Sequence, residues 1–422
     1  MDEAKRIGAG PGGVCTPPPS KSLGHRAVIC AALAARGPAA GESVLQNLGR
    51  SEDIDATLAG VTALWSPAMA AADGELRIGP GPGWPAGRVD CGESGSTLRF
   101  LLPLAALEAR ETVFTGRGRL LARPLAVYAD LFRASGAVFA QEPQAVCVRG
   151  PLRGGVYVLP GDVSSQFVSG LLLALPLLPD DSEIRLATPL ESRGYVDLTL
   201  DVMRRFGVTV TQEPAGYRIR GGQRYQPAAY RVEADYSQAA FFLAAAALGR
   251  PVTVAGLDPE SRQGDRAMLE VLRAMGAETD WQADAVRVRA GRLEAVTVDA
   301  REIPDLVPPI AALCCFGAGR SRIVGAGRLR LKESDRLHAL AAELGKLGAR
   351  VEETEDTLTI EGAPRLAGGR VDAWNDHRIA MALAVAALRC DGPVLLTGWR
   401  SVAKSYPGFW SDWEDGQLIV DN

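Results

Sequence analysis

Six times along this 422-residue chain a Ser or Asp opens a stretch rich in Ala and Leu, and successive openings lie 70 to 74 residues apart. The openings are Ser20, Ser94, Ser164, Asp235, Asp305 and Asp376; DYSQAAFFLAAAALG and DHRIAMALAVAALRC are representative stretches. Ser and Asp are preferred helix N-caps because a short side-chain oxygen can accept a backbone N–H of the first turn. A helix N-terminus is also a positive end and attracts anions. Ordinary capped helices recurring by accident are the simpler reading. Five steps this regular point instead to a repeat architecture, in which each unit buries its apolar face against the next.

A second element recurs between the openings. Amphipathic stretches end in a Gly followed by β-branched residues at Gly136, Gly207, Gly276 and Gly348, with a degraded copy around Ser66 in LWSPAMA. Gly after a helix is the expected left-handed C-terminal cap, and the strand resumes behind it. Each unit of about 70 residues therefore reads β-α-β-α-β-β. The openings divide into three Ser copies and three Asp copies, which puts a boundary near Glu233–Asp235, after the polar loop GGQRYQPAAY. A chain this long exceeds one ordinary core. The expected domains are 20–233, and 1–19 joined with 234–422, the N-terminal segment completing the second domain's sheet. The opening helices have little polar face, so they belong inside, surrounded by sheets. The fold class is α/β with two domains of three βαβαββ repeats each, like an inverted α/β barrel.

Hydrophobic residues make up 47% and charged residues 23%, which describes a globular chain. The net charge of −4 argues against a general nucleic-acid binder, so cationic clusters should be local. The seven cysteines show neither CxxC nor Cys/His ligand spacing, which points to reduced thiols, no metal site and a cytoplasmic protein. No run reaches the roughly 18 apolar residues of a membrane span, and MDEAKRIGAGPGGV lacks an apolar signal core. Without an evident apolar interface stripe, a monomer is expected. Gly8, Gly10 and Gly13 form a GxGxxG pattern, but no apolar strand precedes it, so dinucleotide binding is not expected.

The chemistry-bearing residues cluster at the helix openings. SKSLGHR puts Lys21, Ser22, His25 and Arg26 in the first turns of a helix, where cations are unfavourable unless an anion binds. Solvated side chains are the simpler reading there. ESGSTLR adds Gly95, Ser96 and Arg99, and a Gly at a helix start bares backbone N–H groups to a ligand. VSSQF supplies hydroxyls and an amide from Ser164, Ser165 and Gln166. Arg123 precedes a Pro expected at a first helical position. In the second half Asp305 is expected to cap its helix, and KESDRL places Lys332 and Glu333 with Arg336 on one helical face. A solvated, salt-bridged helix start is the simpler reading of that segment. Asp376, His377 and Arg378 open the last copy, and Lys404 follows in VAKSYPG. Together the halves suggest a cation-lined cleft holding ionised carboxylates, suited to joining two anionic small molecules.

At these motifs the chain closely resembles the 5-enolpyruvylshikimate-3-phosphate synthase branch of the enolpyruvyl transferases. SKSxxxR, SGSTLR, ARP, VSSQF, ESRGYVDLT, IPD, LKESDRL, NDHRIAMA and AKSYPGFW occur in family order over nearly the whole length. The resemblance implies two domains of three βαβαββ units. It also implies transfer of the enolpyruvyl group of phosphoenolpyruvate to the 5-hydroxyl of shikimate 3-phosphate, with release of phosphate. By the same resemblance Ser164, Ser165 and Ser192 hold the shikimate 3-phosphate phosphate, with Gln166 and Tyr195 nearby. Lys21, Ser22 and Arg26 face the rest of that substrate, and Asp305 and Lys332 meet its ring hydroxyls. Phosphoenolpyruvate is expected at Lys21, Gly95, Arg123, Gln166, Arg336, His377, Arg378 and Lys404. Asp305 is the candidate base, with Glu333 and Lys21 as candidates for protonating the methylene carbon and the departing oxygen. This route calls for no covalent enzyme species, metal or cofactor.

Three positions depart from the common pattern: Pro19 replaces a Gly, Arg328 replaces an Asn, and Phe100 replaces a Pro linked in the family to glyphosate inhibition. The sister transferase acting on UDP-N-acetylglucosamine is the nearest alternative. Its pattern has a loop Cys near GRGRLLARP, where this chain has none. A catalytically silent anion-binding scaffold is the other, and it would gain nothing from Asp305 and Glu333 among its cations.

Overall fold

A computed structural model describes residues 3–8, 10–36, 41–72, 74–82 and 87–415. Among the described residues twelve α-helices follow in chain order: α1 (Lys21–Ala34), α2 (Glu52–Trp65), α3 (Gly95–Ala105), α4 (Ala126–Ala134), α5 (Ser165–Ala174), α6 (Arg193–Arg205), α7 (Tyr236–Ala247), α8 (Met268–Ala274), α9 (Val307–Cys314), α10 (Arg336–Lys346), α11 (His377–Ala387) and α12 (Phe409–Asp415). The chain divides into two units, Pro19–Glu233 and Met1–Pro18 with Ala234–Asn422. No helix among the described residues is long and apolar enough to cross a membrane.

Six sheets occur among the described residues, and the four-stranded ones share one topology. Arg88–Asp90 runs parallel to Glu111–Thr115, which pairs antiparallel with Ala145–Arg149, itself hairpinned to Val138–Glu142. Alternation sends Val89, Phe114, Val146 and Val148 inward, as the two-residue strand period requires. The last strand of the Pro19–Glu233 unit, Ala229–Arg231, returns to pair with Ser43–Gln46 near its start. In the other unit the N-terminal strands Lys5–Arg6 and Gly13–Cys15 pair with Val394–Thr397 and Val252–Val254. Gly13 of the GxGxxG pattern thus opens a strand, not a helix.

The opening helices form the interior. All twelve residues of α7 are buried, and α1, α3, α5, α9 and α11 are buried along most of their length. Ser20, Ser94, Ser164, Asp235 and Asp376 cap their helices through the side chain, as expected. Asp305 does not. It lies in a 3-10 turn, Pro304–Leu306, and α9 starts at Val307, where Pro308 and Pro309 occupy first-turn positions that need no N–H. The second recurring element adopts the left-handed conformation at every expected position, with φ of +83° at Gly136, +79° at Gly207, +90° at Gly276, +96° at Gly348 and +43° at Ser66.

Helix α3 contains Pro103, which has no N–H to offer the Arg99 carbonyl one turn back. Tyr128 fills the gap: its hydroxyl donates to Arg99 O at 2.8 Å. Room for that phenol comes from Gly170 of α5, where an added Cβ would lie 2.2 Å from Tyr128 Oη and 2.4 Å from Arg99 O. A buried acceptor left unmet costs about 1–3 kcal/mol, so Tyr128→Phe should lower unfolding stability by that amount. The loss should shrink in a Pro103→Ala background, which restores an N–H at the same carbonyl. A double-mutant cycle in urea checks this, and strictly additive losses would contradict the pairing.

Candidate active site

The Ala234–Asn422 part gathers its charged residues around Arg336, the first residue of α10. Asp335 caps that helix, its carboxylate accepting from the backbone N of His338 at 3.0 Å. Lys332 to Ser334 therefore lie ahead of the helix. The shared helical face expected for Lys332, Glu333 and Arg336 is corrected accordingly: with Asp335 as N-cap the helix begins only at Arg336, after Lys332 and Glu333. The same bend nevertheless brings Glu333 Oε2 to 2.7 Å from Arg336 Nη2.

Arg336 also donates from Nε to Asp376 Oδ2 at 2.8 Å, from Nη2 to Asp376 Oδ1 at 3.3 Å, and from Nη1 to Asp305 Oδ1 at 3.2 Å. Its side chain is 2% exposed and that of Asp376 is fully buried, which rules out a solvated helix start. Asp376 additionally accepts from Ser334 Oγ at 3.0 Å and from the backbone N of Arg378. Arg378 donates to Asp305 Oδ2 at 2.9 Å, to Asp305 O at 3.1 Å and to Ser237 Oγ at 2.9 Å. Lys332 Nζ lies 4.0 Å from Asp305 Oδ1. Lys404 Nζ donates to Asn375 O at 2.6 Å, one residue before Asp376. His377 is buried beside Asp376.

Burial alone would push the Asp305 carboxyl up, but Arg378, Lys332 and Arg336 together hold it well below the usual carboxylate range. Burial would also raise Asp376, but the charge and hydrogen bond of Arg336, with His377 beside it, together hold it down. The Lys332 ammonium is pushed down to about 8 by burial, which outweighs the opposing pull of Asp305. Because Asp305 is not used as a helix cap, both of its oxygens are directed to side-chain cations. What the arrangement supplies is a set of fixed cations with carboxylates between them, able to bind anions and to move protons at the same place.

In the Pro19–Glu233 unit two groups of predicted residues form. The first surrounds the start of α3. A Cβ on Gly95 would meet Arg123 Nη1 at 2.9 Å and Arg99 Nη1 at 3.0 Å, so a side chain there would crowd both guanidiniums at this helix end. Gln166 joins them, its Oε1 accepting from Arg99 Nη1 at 2.8 Å and its Nε2 donating to Ser96 Oγ at 3.0 Å. Arg123 does not sit immediately before a helix as expected. Pro124 follows a 3-10 turn, Leu120–Ala122, and α4 begins at Ala126.

The second group surrounds Arg26, which is buried and donates to Thr199 Oγ1 at 2.7 Å, Ser22 O at 2.7 Å and Tyr195 O at 2.8 Å. Phe100 packs under its guanidinium, 4.9 Å from centre to centre, and burial lowers that group to about 10. Ser192 takes a left-handed conformation ahead of α6, with φ of 54°. Ser164 and Ser165 start α5. Arg328 donates to Arg301 O at 2.8 Å.

Several participants escaped sequence reasoning. Lys21 Nζ donates to Asp53 Oδ2 at 2.6 Å, so Lys21 does not simply extend into solvent. Beneath it runs a buried chain in which His25 Nδ1 meets Thr57 Oγ1 at 2.7 Å, Thr57 Oγ1 meets Thr97 Oγ1 at 2.6 Å, and Thr97 Oγ1 donates to the Ser94 cap at 2.7 Å. Burial, then the neighbouring Lys21 and Arg26, hold the His25 imidazole well below its ordinary value and so neutral. Asp53 reads in sequence as a first-turn acid of α2, and nothing in its spacing links it to a lysine 32 residues away. Ser237 and Ser334 likewise become visible only once the helices are placed side by side.

The family described as EPSP synthase (3-phosphoshikimate 1-carboxyvinyltransferase) matches residues 8–413 of this chain. A relative from Clostridium kluyveri, named 3-phosphoshikimate 1-carboxyvinyltransferase, is 44% identical over 94% of this chain and 92% of its own. One of the same name from Clostridium novyi is 41% identical over 100% and 99%. The solved EPSP synthase from Acinetobacter baumannii matches with a TM-score of 0.78 at 28% identity, covering 96% of each chain. The enolpyruvyl transferase NikO from Streptomyces tendae shares the fold at a TM-score of 0.73 and 17% identity, over 98% of this chain and 95% of its own. With its repeats, its capped buried helices and its paired cations and carboxylates, the chain belongs to the EPSP synthase (3-phosphoshikimate 1-carboxyvinyltransferase) family.

Proposed function

We propose that this chain transfers the enolpyruvyl group of phosphoenolpyruvate to the 5-hydroxyl of shikimate 3-phosphate and releases phosphate, acting on these small molecules as a cytoplasmic monomer. The observation that carries the chemistry is Asp305 held between Arg336, Arg378 and Lys332, with Glu333 on the same arginine. Seven free cysteines, most of them buried, support the compartment. Support for the substrates comes from the curated relatives' names together with the residues at each motif.

In this reading Ser164, Ser165 and Ser192 hold the phosphate of shikimate 3-phosphate, with Gln166 and Tyr195 nearby on the same substrate. Lys21, Ser22 and Arg26 meet the rest of that substrate, and Asp305 and Lys332 its ring hydroxyls. Phosphoenolpyruvate is bound by Lys21, Gly95, Arg123, Gln166, Arg336, His377, Arg378 and Lys404. The 5-hydroxyl oxygen bonds to C2 of phosphoenolpyruvate while Asp305 takes its proton. Glu333 or Lys21 delivers a proton to the methylene carbon. The resulting tetrahedral intermediate returns a proton from that carbon to the group that delivered it, and its C2–O bond to phosphate breaks as the other of Glu333 and Lys21 protonates the departing oxygen. A carboxylate as depressed as Asp305 is a weak base in the empty site. Substrate anions compete for the same guanidiniums, and each cation they occupy lets Asp305 become more basic. Binding thereby readies the base.

Purified protein given both substrates should release inorganic phosphate in a continuous assay. Failure to do so, with turnover of UDP-N-acetylglucosamine instead, would overturn the assignment. Asp305→Ala and Glu333→Gln should each lower kcat more than about a hundredfold, the scale of lost acid–base catalysis; rates near wild type would remove them from the mechanism.

Lys332 sets a pH dependence. Its proton is present below about 8, so kcat/KM, which reports groups of the free enzyme, should fall above that pH. Lys332→Arg should move the fall to higher pH, because a guanidinium does not titrate there. An unmoved alkaline limb would contradict the role. A folded-state value below the ordinary 10.5 also means that protonated Lys332 opposes folding. Its contribution to stability should therefore improve as the pH rises from about 8 towards 10.5.

A further inference from the structure

The segment that delivers Asp376 and the Asn375 carbonyl to the arginine cluster has an unfavourable backbone. Trp374 and Asn375 are consecutive left-handed residues, with φ of 53° and 51°. Asn tolerates that region, but a bulky residue such as Trp rarely enters it, because its Cβ crowds the backbone. Something must hold the turn. Glu343 does: it is buried on α10 and accepts from the Trp374 indole Nε1 at 2.7 Å, from the backbone N of Asp372 at 3.0 Å and from Lys346 Nζ at 2.7 Å.

Glu343 and Arg336 are seven residues apart on α10, so they share one face of the helix about 10 Å apart. Segment 372–376 runs along that face. It is tied to Glu343 at Asp372 and Trp374, and to Arg336 at Asp376. Between the ties, Asn375 O accepts from Lys404 Nζ at 2.6 Å. The indole ring also packs edge-on against His338 of the same helix, with centroids 5.4 Å apart.

We infer that Glu343 and Trp374 are positioning residues for phosphoenolpyruvate: they lock a disfavoured turn against α10 so that Asp376 and Asn375 hold Arg336 and Lys404 in binding geometry. The inference rests on the function proposed above for those two cations. Neither residue touches substrate in this account. Trp374→Phe removes one hydrogen bond to a buried carboxylate and keeps the ring.

The test measures phosphate release with each substrate varied in turn, alongside amide NMR of the substrate-free protein. Trp374→Phe should raise the KM for phosphoenolpyruvate about tenfold, the scale of a lost hydrogen bond to a charged group. The KM for shikimate 3-phosphate and kcat should stay within about twofold. Glu343→Gln, which keeps an acceptor oxygen, should have a smaller effect on the KM for phosphoenolpyruvate than Glu343→Leu, which keeps none. In the spectra of Trp374→Phe, the Asn375 and Asp376 amides and the Arg336 Nε–H should shift, while signals of the Pro19–Glu233 unit should not. An unchanged KM for phosphoenolpyruvate, or a parallel rise for both substrates, would overturn the positioning role in an active enzyme. Spectra unchanged at Asn375, Asp376 and Arg336 would overturn it whatever the activity. Wild-type protein that releases no phosphate while the variant shows the local shifts would instead count against the proposed reaction and leave the turn's support standing.

Discussion

Arg336 is the side chain on which the site in the Ala234–Asn422 part depends. It is almost wholly buried and donates to three carboxylates, Asp376, Asp305 and Glu333. A buried charge of this kind is tolerable only when it is paired and hydrogen-bonded, and removing one partner of such a pair costs about 3–5 kcal/mol. The cluster is therefore held rigid by electrostatics at a place where a flexible surface lysine or arginine would wander. Rigidity is what an anion site needs, since cations already in position lose little entropy when a ligand arrives. The same contacts set the acid–base character of the site. Arg378, Lys332 and Arg336 together lower Asp305, Arg336 and His377 lower Asp376, and burial lowers Lys332 to about 8.

The repeat explains how the chain can assemble such a cluster. Every buried opening helix but α9 starts at a side-chain-capped N-terminus, and α7, α9 and α11 contribute Ser237, the turn carrying Asp305, and Asp376 with Arg378. Peripheral helix α10 adds Arg336. Function enters where the repeat is broken. Asp305 leaves the capping position that its counterparts keep, and its carboxylate is turned over to Arg336, Arg378 and Lys332. In the other unit Gly95 occupies the first position of α3, and its missing side chain leaves Arg123 and Arg99 uncrowded.

Much of this was legible in the sequence, because the signals are local. Five of the six caps, the left-handed glycines at 136, 207, 276 and 348, and even the degraded copy at Ser66 follow from residue type and spacing. The α/β fold with buried apolar helices follows from the absence of a polar face on those helices. What failed was also local: Pro304, Pro308 and Pro309 displaced the start of α9, Pro124 did not start α4, and the Asp335 cap left Lys332 and Glu333 outside α10. Long-range partners were invisible for a different reason. The Lys21–Asp53 pair, the Thr57–Thr97 hydroxyl link and the bond from Trp374 to Glu343 each join residues at least 31 positions apart. No periodicity relates such residues, and only the packing of one helix on another, or of a turn on a helix, brings them together.

The proposed mechanism requires Asp305 to be clamped by its cations in the free protein and released when an anion occupies them. Site-resolved carbon NMR of the Asp305 carboxyl, followed against pH with and without phosphoenolpyruvate and shikimate 3-phosphate, tests it directly. The carboxylate should stay ionised in the free protein well below the usual aspartate range, and its titration should move upward once the ligands are bound. A free-protein titration near 4 with no response to ligand would contradict it.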